Sequence, residues 1–406
     1  MNLDVTVYDL VESAPNILDA FHEFGIREFD DPAVRAHLGS VLRVRTLLAH
    51  RRVDPSAFAA CIDGLLPSKQ RNRPENEDAA LLLENDPTLL ALLPCGVKAG
   101  LDGALSNFAD QMEADGRPFN YRTAGNVNHE LSFYPFVDDV TSADELPELI
   151  LSADLNAFYH ADFLSRFAEQ GIFEDVLPVM DSAFESIGYR DPRSCFTMFA
   201  PNVLVLVRVR DSRRQVPIPE SWHDLQKPAY AKSIMMRGQG NFFCSGVLVP
   251  FFRLYGAEGL DRLAASVGWG THPSQMIKRI DSGSDDIPPL YIMPLFFARK
   301  IKRTDRVDII FPDEGAFVSP VQLLVKRSAR EKLRFVTDFL MGEKVHQLCT
   351  DNHFPSPLPQ IENRCVDVEK LFWIGWDFIY ENDLGALKRT IGARFSTEFL
   401  RTGSLP

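Results

Sequence analysis

Four short polar segments carry the residue types that could bind a small molecule. The first spans residues 94–98 and places Cys95, Gly96 and Lys98 between an apolar strand-like run and a predicted helix. A thiol at the start of a helix can ionise more readily than a free thiol, and a lysine supplies a cation for an anionic ligand. The alternative interpretation of Cys95 is a small buried hydrophobic residue, since free cysteines are commonly buried.

The second segment, residues 124–129, follows the next predicted strand and offers Asn126, Asn128 and His129. An amide side chain both donates and accepts hydrogen bonds, so this pattern suits a polar ligand. A solvent-exposed turn held by Asx hydrogen bonds would use the same residue types. Both interpretations stay open from the sequence.

The third segment, residues 237–241, contains Gly238, Gly240 and Asn241 between a predicted strand and an apolar helix. Its spacing resembles a turn that holds phosphate through backbone N–H groups, although a plain tight turn fits a single GxG equally well. Ser245 lies about one turn further along and could donate to the same ligand.

The fourth segment, residues 271–275, begins a predicted helix at Pro273. Proline is favoured at the first helical position, so Thr271 or His272 would be the N-cap and the backbone N–H groups would point outward. His272 and Ser274 therefore join Thr271 as candidate ligand contacts. The alternative is a histidine that only caps its helix.

The rest of the chain contains no recognised catalytic or metal-binding pattern. It has no GxSxG, no GxxxxGK[ST] and no HxxxH spacing, and its six cysteines form no CxxC pair. A formal net charge of -13 argues against nucleic acid or an anionic membrane surface as the main partner. We therefore expect no cofactor, no bound metal and no nucleic-acid partner.

No segment predicts export or a membrane span. No apolar run approaches the roughly 18 residues that a transmembrane helix needs, and the first 26 residues contain no Lys or Arg, unlike the basic start of an export signal. The sequence as given predicts a cytoplasmic protein, which would be periplasmic or extracellular if a leader had been removed.

Residues 1–66 predict a small all-α domain. Apolar residues recur three and four positions apart from residue 10 to residue 24 and stop at Gly25, and the Asp-Pro pairs at 31–32 and 54–55 would each begin another helix. The segments DLVESAPNILDAFHEFGI, DDPAVRAHLG and RVDPSAFAACI resemble a small bacterial domain of unknown function. Many members carry a cysteine just after the first helix, which this chain lacks. This predicts a docking or oligomerisation module, followed by a polar linker at 67–81.

From residue 82 onward, strand-like and helix-like runs alternate, which predicts α/β architecture with mainly parallel sheets. The clearest strand runs are residues 89–94, 149–153, 203–209, 307–311 and 321–325. Helices are predicted at residues 101–112 and 329–349, among others. An aromatic segment at 371–379 is predicted to pack on the first half of this region.

Five segments carry a family resemblance: APNVLVLVR, IPESWHDLQKPAYAKSIMM, YGAEGLDRLAASVG, FPDEGAFVSPVQLLVK and FVTDFLMGEKVHQLC. In this order they resemble the type 2 periplasmic-binding-protein-like proteins, in particular extracellular solute-binding family 1. The resemblance implies a two-lobed Venus-flytrap domain over residues 82–406. Lobe one would comprise about 82–202 and 312–406, and lobe two about 203–311.

The same resemblance implies a mechanism. The chain would cross between the lobes near residues 200–207 and 309–318, and the lobes would close on a ligand that touches both. The four polar segments would face the cleft, because ligands in this fold lie at strand ends and helix N-termini. Iron-binding relatives use adjacent tyrosines, but Tyr255, Tyr291 and Tyr380 are isolated, so no ferric site is expected.

The sequence therefore predicts a protein that binds a small polar or anionic solute, as a substrate-binding or sensor protein of the ABC-transporter type, with a transporter permease as a possible partner. A second hypothesis is an enzyme on the same fold, resembling the thiaminases, with Cys95 as nucleophile. It needs a base that the sequence does not identify. A third is a structural or regulatory protein with an empty cleft.

Overall fold

The structure is a computed structural model that describes residues 6–13, 17–40, 42–51, 53–54, 58, 77–126, 133–239 and 242–402. The chain divides into two compact units, residues 1–73 and 74–406, and each is described by itself. Four predicted site residues and most of the predicted linker lie outside the described residues: Asn128, His129, Gly240, Asn241 and residues 67–76.

The first unit is helical. Its helices are α1 Val7–Ser13, α2 Ile17–Glu23, α3 Pro32–Val34, which continues into a π-helical turn at Arg35–Gly39, and α4 Val44–His50. The predicted first helix is thus two helices, and Gly25 follows the second with a φ of 73°, which favours glycine. The predicted cap at Asp31 is confirmed, since its carboxylate accepts from the N–H of Ala33 at 2.8 Å. The second Asp-Pro pair lies partly outside the described residues.

The second unit alternates strands and helices. Its strands are β1 Leu89–Leu93, β2 Tyr121–Gly125, β3 Leu149–Ala153, β4 Thr197–Met198, β5 Asn202–Val209, β6 Ile234–Met236, β7 Gly238–Gln239, β8 Phe242–Phe243, β9 Val267–Gly270, β10 Leu290–Pro294, β11 Val307–Ile310, β12 Ala316–Ser319, β13 Val321–Val325 and β14 Leu371–Phe372. Its helices are α5 Glu77–Leu82, α6 Cys95–Ala114, α7 Phe133–Asp139, α8 Ala161–Phe163, α9 Ser182–Ser186, α10 Ser245–Ser266, α11 Pro273–Asp281, α12 Leu295–Ala298, α13 Arg334–Leu340, α14 Glu343–Asp351, α15 Trp376–Glu381 and α16 Leu384–Arg401.

The first sheet organises lobe one and has the strand order β2-β1-β3-β13-β4. Strands β1, β2 and β3 are parallel, and β13 runs antiparallel to β3 and β4. Every residue of β1 and β3 is buried, as expected for parallel strands covered on both faces. The carboxyl ends of β1, β2 and β3 therefore meet at one edge.

The second sheet organises lobe two, in the order β14-β12-β5-β10-β6-β9, with β11 also paired to β5. Strands β10, β6 and β9 are parallel neighbours, while β5 is antiparallel to β10, β11 and β12. The chain passes between the sheets at residues 199–201 and at Pro320. Strands β5 and β12 pair with each other within the second sheet. The predicted crossing ranges included residues of these two strands, so the observed crossings are shorter.

The C-terminal region corrects the predicted lobe boundaries, which gave residues 312–406 to lobe one. Strand β14 pairs with β12 in the second sheet, and α16 packs along α10 of lobe two. The reason is an apolar face on α16, where the rings of Phe395 and Phe399 meet Phe243 at 4.8 and 5.0 Å between centroids. The aromatic segment reaches lobe one through the indole N–H of Trp376, which donates to the carbonyl of Tyr189 at 3.0 Å.

One helix prediction also differs from the structure. The helix predicted at 329–349 is two helices, because the chain turns at Met341 and Gly342 between α13 and α14. Helix α10 is interrupted at Gly256, whose φ is 65°. The SWHDL segment forms one 3-10 turn at His223–Gln226. Among the described residues, no helix combines the length and the apolar character that crossing a membrane requires.

Candidate functional site

A cavity of about 50 Å³ lies where the carboxyl ends of the parallel strands of both sheets meet. Lobe one contributes Cys95 and Gly96 after β1, Asn126 after β2 and Asp154 after β3. Parallel strands of an α/β sheet bind ligands at this edge because the following helices begin there. The wall on this side is thus formed by residues just beyond the carboxyl ends of β1, β2 and β3.

Lobe two also contributes residues that lie just beyond the carboxyl ends of its strands. Arg237 follows β6, His272 follows β9, and Phe296 lies in the first turn after β10. Asn202 and Ser319 complete the wall where the two strands adjoining the crossings pass it. Side chains from both lobes and from the crossings therefore surround one cavity.

The two lobes touch each other beside this cavity. A Cβ placed on Gly96 of lobe one would lie 2.8 Å from the ring of Phe296 of lobe two and 2.4 Å from the ring of Phe354. Only glycine permits this approach without a shift of the rings. The two lobes therefore contact each other at this edge of the cavity, where the ring of Phe296 lies against the first turn of α6.

Lobe two presents cationic and neutral donors. The guanidinium of Arg237 lies over the ring of Phe242, with Cζ 5.6 Å from the ring centroid. Burial, together with the charge of Arg237, lowers the pKa of His272, so its imidazole is neutral at neutral pH. Nδ1 of His272 accepts from the backbone N–H of Ser274 at 3.2 Å, which makes it the N-cap of α11.

Lobe one presents an acceptor and an amide. Asp154 is 5% exposed and has a φ of 69°, a left-handed conformation that Asp adopts more easily than most residues. Its backbone N–H donates to the carbonyl of Pro320 at 2.7 Å, which attaches it to a crossing segment. The hydroxyl of Tyr134 donates to Oδ1 of Asn126. The NH₂ group of the same Asn126 amide has no acceptor among the described residues, so it remains a donor.

Of the sequence-predicted site residues, the structure brings Cys95, Gly96, Asn126 and His272 to the cavity wall. Cys95 is exposed there, which differs from the buried alternative. Four further predicted residues lie outside the described residues, so their predicted roles stay predictions: Asn128, His129, Gly240 and Asn241.

The remaining predicted residues do not line the cavity: Lys98, Gly238, Ser245, Thr271 and Ser274. Gly238 lies in β7, which pairs with β8, and a Cβ there would meet the ring of Phe243 at 2.5 Å, so the packing of this ring requires a glycine. Ser245 lines a separate cavity of about 390 Å³ with Phe242 and Lys388. Thr271 donates its backbone N–H to Met236, which closes the end of the sheet.

The sequence interpretation did not select Asp154, Asn202, Arg237 or Ser319. Two of them carried a usable signal, since Asp154 and Arg237 each directly follow a predicted strand. Asn202 and Ser319 lie at strand positions next to the crossings, and only the pairing of the sheets brings them to the cleft.

No described set of three or more His, Cys, Asp or Glu side chains could hold a metal ion. The isolated tyrosines have other environments: Tyr255 donates to Glu314, Tyr380 donates to Asp191 at 2.6 Å, and Tyr291 is buried in β10. None of the described residues on the cavity wall is a tyrosine.

Solved structures with a similar fold include several binding proteins. The periplasmic binding protein P5PA has a TM-score of 0.55 and 14% identity, over 77% of this chain and 99% of that one. The ferric binding protein from Campylobacter jejuni has a TM-score of 0.54 and 12% identity, over 78% and 98%. The apo ferric ion-binding protein A of Pasteurella haemolytica has a TM-score of 0.53 and 15% identity, over 76% and 97%. At these identities the similarity establishes the fold, a two-lobed periplasmic-binding-protein fold, and no more.

No curated protein sequence matches this chain. The family model described as bacterial extracellular solute-binding protein matches residues 144–382, which is more than half of the chain and includes both crossings. The match agrees with the lobes and with the cavity at their strand ends. This chain therefore belongs to the family of bacterial extracellular solute-binding proteins.

Proposed function

We propose that this protein binds a small anionic solute in the cleft and closes its two lobes on it. The observation that supports this most directly is the convergence of Arg237 of lobe two with the N-terminus of the 20-residue helix α6 of lobe one on a single cavity. Unpaired backbone N–H groups and the helix dipole favour an anion at such a terminus. A ligand that contacts both lobes stabilises the closed state by those contacts.

The solute-binding family supports a role in delivering the solute to a membrane transporter, and a sensor role uses the same binding step. The family description also supports a location outside the cytoplasm. Some of the structural neighbours are named as ferric binding proteins, and those names describe the neighbours' own ligand. We propose an anion rather than ferric iron here, because the described cavity wall offers one carboxylate and no tyrosine.

Replacing Arg237 by alanine is expected to weaken anion binding about ten- to hundredfold, because a hydrogen bond to a charged group contributes roughly 1.5–3 kcal/mol. Calorimetry against a panel of small anions would measure this. An anion that binds the wild-type protein, at a concentration of about a hundred times its dissociation constant, should raise the free energy of unfolding by about 2.7 kcal/mol.

Arg213→Ala is the matched control for Arg237→Ala, since the Arg213 side chain is 68% exposed and pairs only with surface acids. It should bind the anion as the wild type does. Equal affinities of wild type and Arg237→Ala for every anion that binds would contradict the proposed site.

Cys95 distinguishes binding from catalysis. Because it is exposed on the cavity wall, a bound anion should slow its alkylation, and Cys95→Ser should change the anion affinity by less than about threefold. The family and the three structures named above are described as binding proteins, and a nucleophilic role for Cys95 stays a prediction. Turnover of a thiazolium-type substrate by the wild type, lost in Cys95→Ser, would favour the enzyme instead.

A further inference from the structure

We propose that a second pocket of this protein binds a small apolar carboxylate, separately from the solute in the cleft. This pocket, called the α16 pocket, is the cavity of about 390 Å³ that Ser245 and Lys388 line. Helix α7 and the 3-10 turn at Ala157–Tyr159 form its wall on lobe one, and β8, α10 and α16 form the opposite wall. Its volume falls within the roughly 300–1,000 Å³ that is typical of small-molecule pockets.

Most of the lining of the α16 pocket is apolar. Phe243, Leu248 and Ile391 line it and are nearly fully buried by the surrounding protein. The half-buried ring of Phe242 adds an aromatic surface. A ligand gains binding free energy when its own apolar surface and this lining are removed from water together. The pocket therefore favours a ligand with an apolar body, and the phenylalanine rings favour an aromatic one.

Helix α16 leaves room for such a body at Gly392, which lines the pocket. Glycine inside a helix lowers the stability of the helix relative to alanine. No atom lies within 4 Å of a Cβ placed on Gly392, so packing among the described residues does not require a glycine there. The space beside Gly392 is therefore open to an occupant of the pocket.

The charged groups on the wall favour an occupant with one negative charge. Lys388 and Arg389 are cations, and the carboxylate of Asp138 already accepts from Nδ1 of His160 at 2.7 Å. Lys388 donates to the carbonyl of Leu155, whereas Arg389 is exposed and has no hydrogen-bond or ion-pair partner among the described residues. A guanidinium pairs with a carboxylate through two parallel hydrogen bonds. The carboxylate of the ligand would thus lie at Arg389, on the exposed side of α16.

The α16 pocket is distinct from the cleft, since no described residue lines both. Two side-chain contacts lie between them. The guanidinium of Arg237, on the wall of the cleft, lies over the ring of Phe242, on the wall of the pocket. The hydroxyl of Tyr134, in the pocket, donates to Asn126, in the cleft. A ligand of the α16 pocket therefore does not use the donors of the cleft.

Naphthoate and its uncharged isostere naphthamide are suitable probes, measured by calorimetry at neutral pH. We expect the wild type to bind naphthoate about two- to fivefold more tightly than naphthamide, the size expected for an ion pair at an exposed guanidinium. Arg389→Gln should remove this preference. Arg213→Gln, at a side chain of lobe two that is 68% exposed, should keep it.

Gly392→Leu should weaken the binding of both probes at least about tenfold, because the new side chain occupies the space that the apolar body needs. Gly103→Leu is the matched control. It makes the same change at an exposed position of α6, where an added Cβ also has no atom within 4 Å, and it should leave both affinities unchanged. Leucine is a better helix former than glycine, so both variants should fold, and thermal melting of the free proteins checks this.

Binding of neither probe by the wild type would overturn the α16 pocket, and wild-type affinities in folded Gly392→Leu would overturn its location. An unchanged preference in Arg389→Gln would overturn the assignment of the carboxylate to Arg389. Arg237→Ala, which should weaken the solute of the cleft, should bind naphthoate as the wild type does. A loss of naphthoate binding as large as that in Gly392→Leu would place the probe in the cleft and overturn a separate pocket.

Discussion

Replacing Gly96 by alanine is expected to weaken anion binding about 5- to 100-fold. The new Cβ would overlap the rings of Phe296 and Phe354, both nearly fully buried, and such overpacking costs typically 1–3 kcal/mol. Gly96 and Phe354 belong to lobe one and Phe296 to lobe two, so separating the lobes relieves part of the overlap. The part of the cost that comes from Phe296 therefore falls on the closed state alone, and calorimetry with the preferred anion would measure it.

Gly103→Ala is a matched control on the same helix. No atom lies within 4 Å of its added Cβ, so this change should leave the affinity unchanged and stabilise the fold by about 0.5–1 kcal/mol through helix propensity. A second substitution, Phe296→Ala, removes the ring carbon that the methyl group would meet at 2.8 Å and should recover part of the affinity of Gly96→Ala. Wild-type affinity in Gly96→Ala would show that the lobes do not close through this contact.

The fold was predictable where local pattern and tertiary structure agree. The apolar runs of β1, β3, β5 and β13 are long enough to mark buried strands, and their alternation with helices predicts the α/β lobes. The C-terminal helix was not assigned to lobe two, because its docking on α10 depends on which distant surface its apolar face meets. Nothing local encodes that choice.

The cleft was predictable only in part for a related reason. Clusters of Gly, Asn and Ser drew attention to the GxG turn, yet Gly238 serves the packing of Phe243. A single charged residue after a strand, such as Asp154 or Arg237, does not stand out from the many charged residues in loops. The rule that ligands lie at strand ends would have selected both, had it been applied to every predicted strand rather than to polar clusters.

Lobe closure depends on the crossing segments, and a buried histidine packs on one of them. The imidazole of His346 on α14 lies with its centroid 4.6 Å from that of Phe199, the first residue of the crossing at 199–201. Its Nδ1 shares a hydrogen bond of 2.8 Å with the hydroxyl of Ser356, and its Nε2 has no partner among the described residues. A proton on this ring would thus add an unpaired charge to the interior beside the hinge.

The second unit is expected to lose stability steeply as the pH falls from 6.5 to 5. Burial lowers the pKa of His346 to about 3, against about 6.5 in an unfolded chain. Between these values the unfolded state binds a proton that the native state does not, so the free energy of unfolding falls as the pH falls. The slope approaches 1.4 kcal/mol per pH unit, or about 2 kcal/mol between pH 6.5 and 5. The contribution is fully present above about pH 6.5.

Urea unfolding at several pH values, followed by tryptophan fluorescence, would measure this, because all four tryptophans lie in the second unit. His346→Gln keeps a neutral side chain at every pH and should lack about 2 kcal/mol of the wild-type loss between pH 6.5 and 5. His223→Gln, at an exposed histidine of lobe two, should keep the wild-type slope. Parallel pH curves for wild type and His346→Gln would mean that the imidazole beside the crossing becomes protonated in the native state without cost, and its burial would then not govern the acid stability of the hinge.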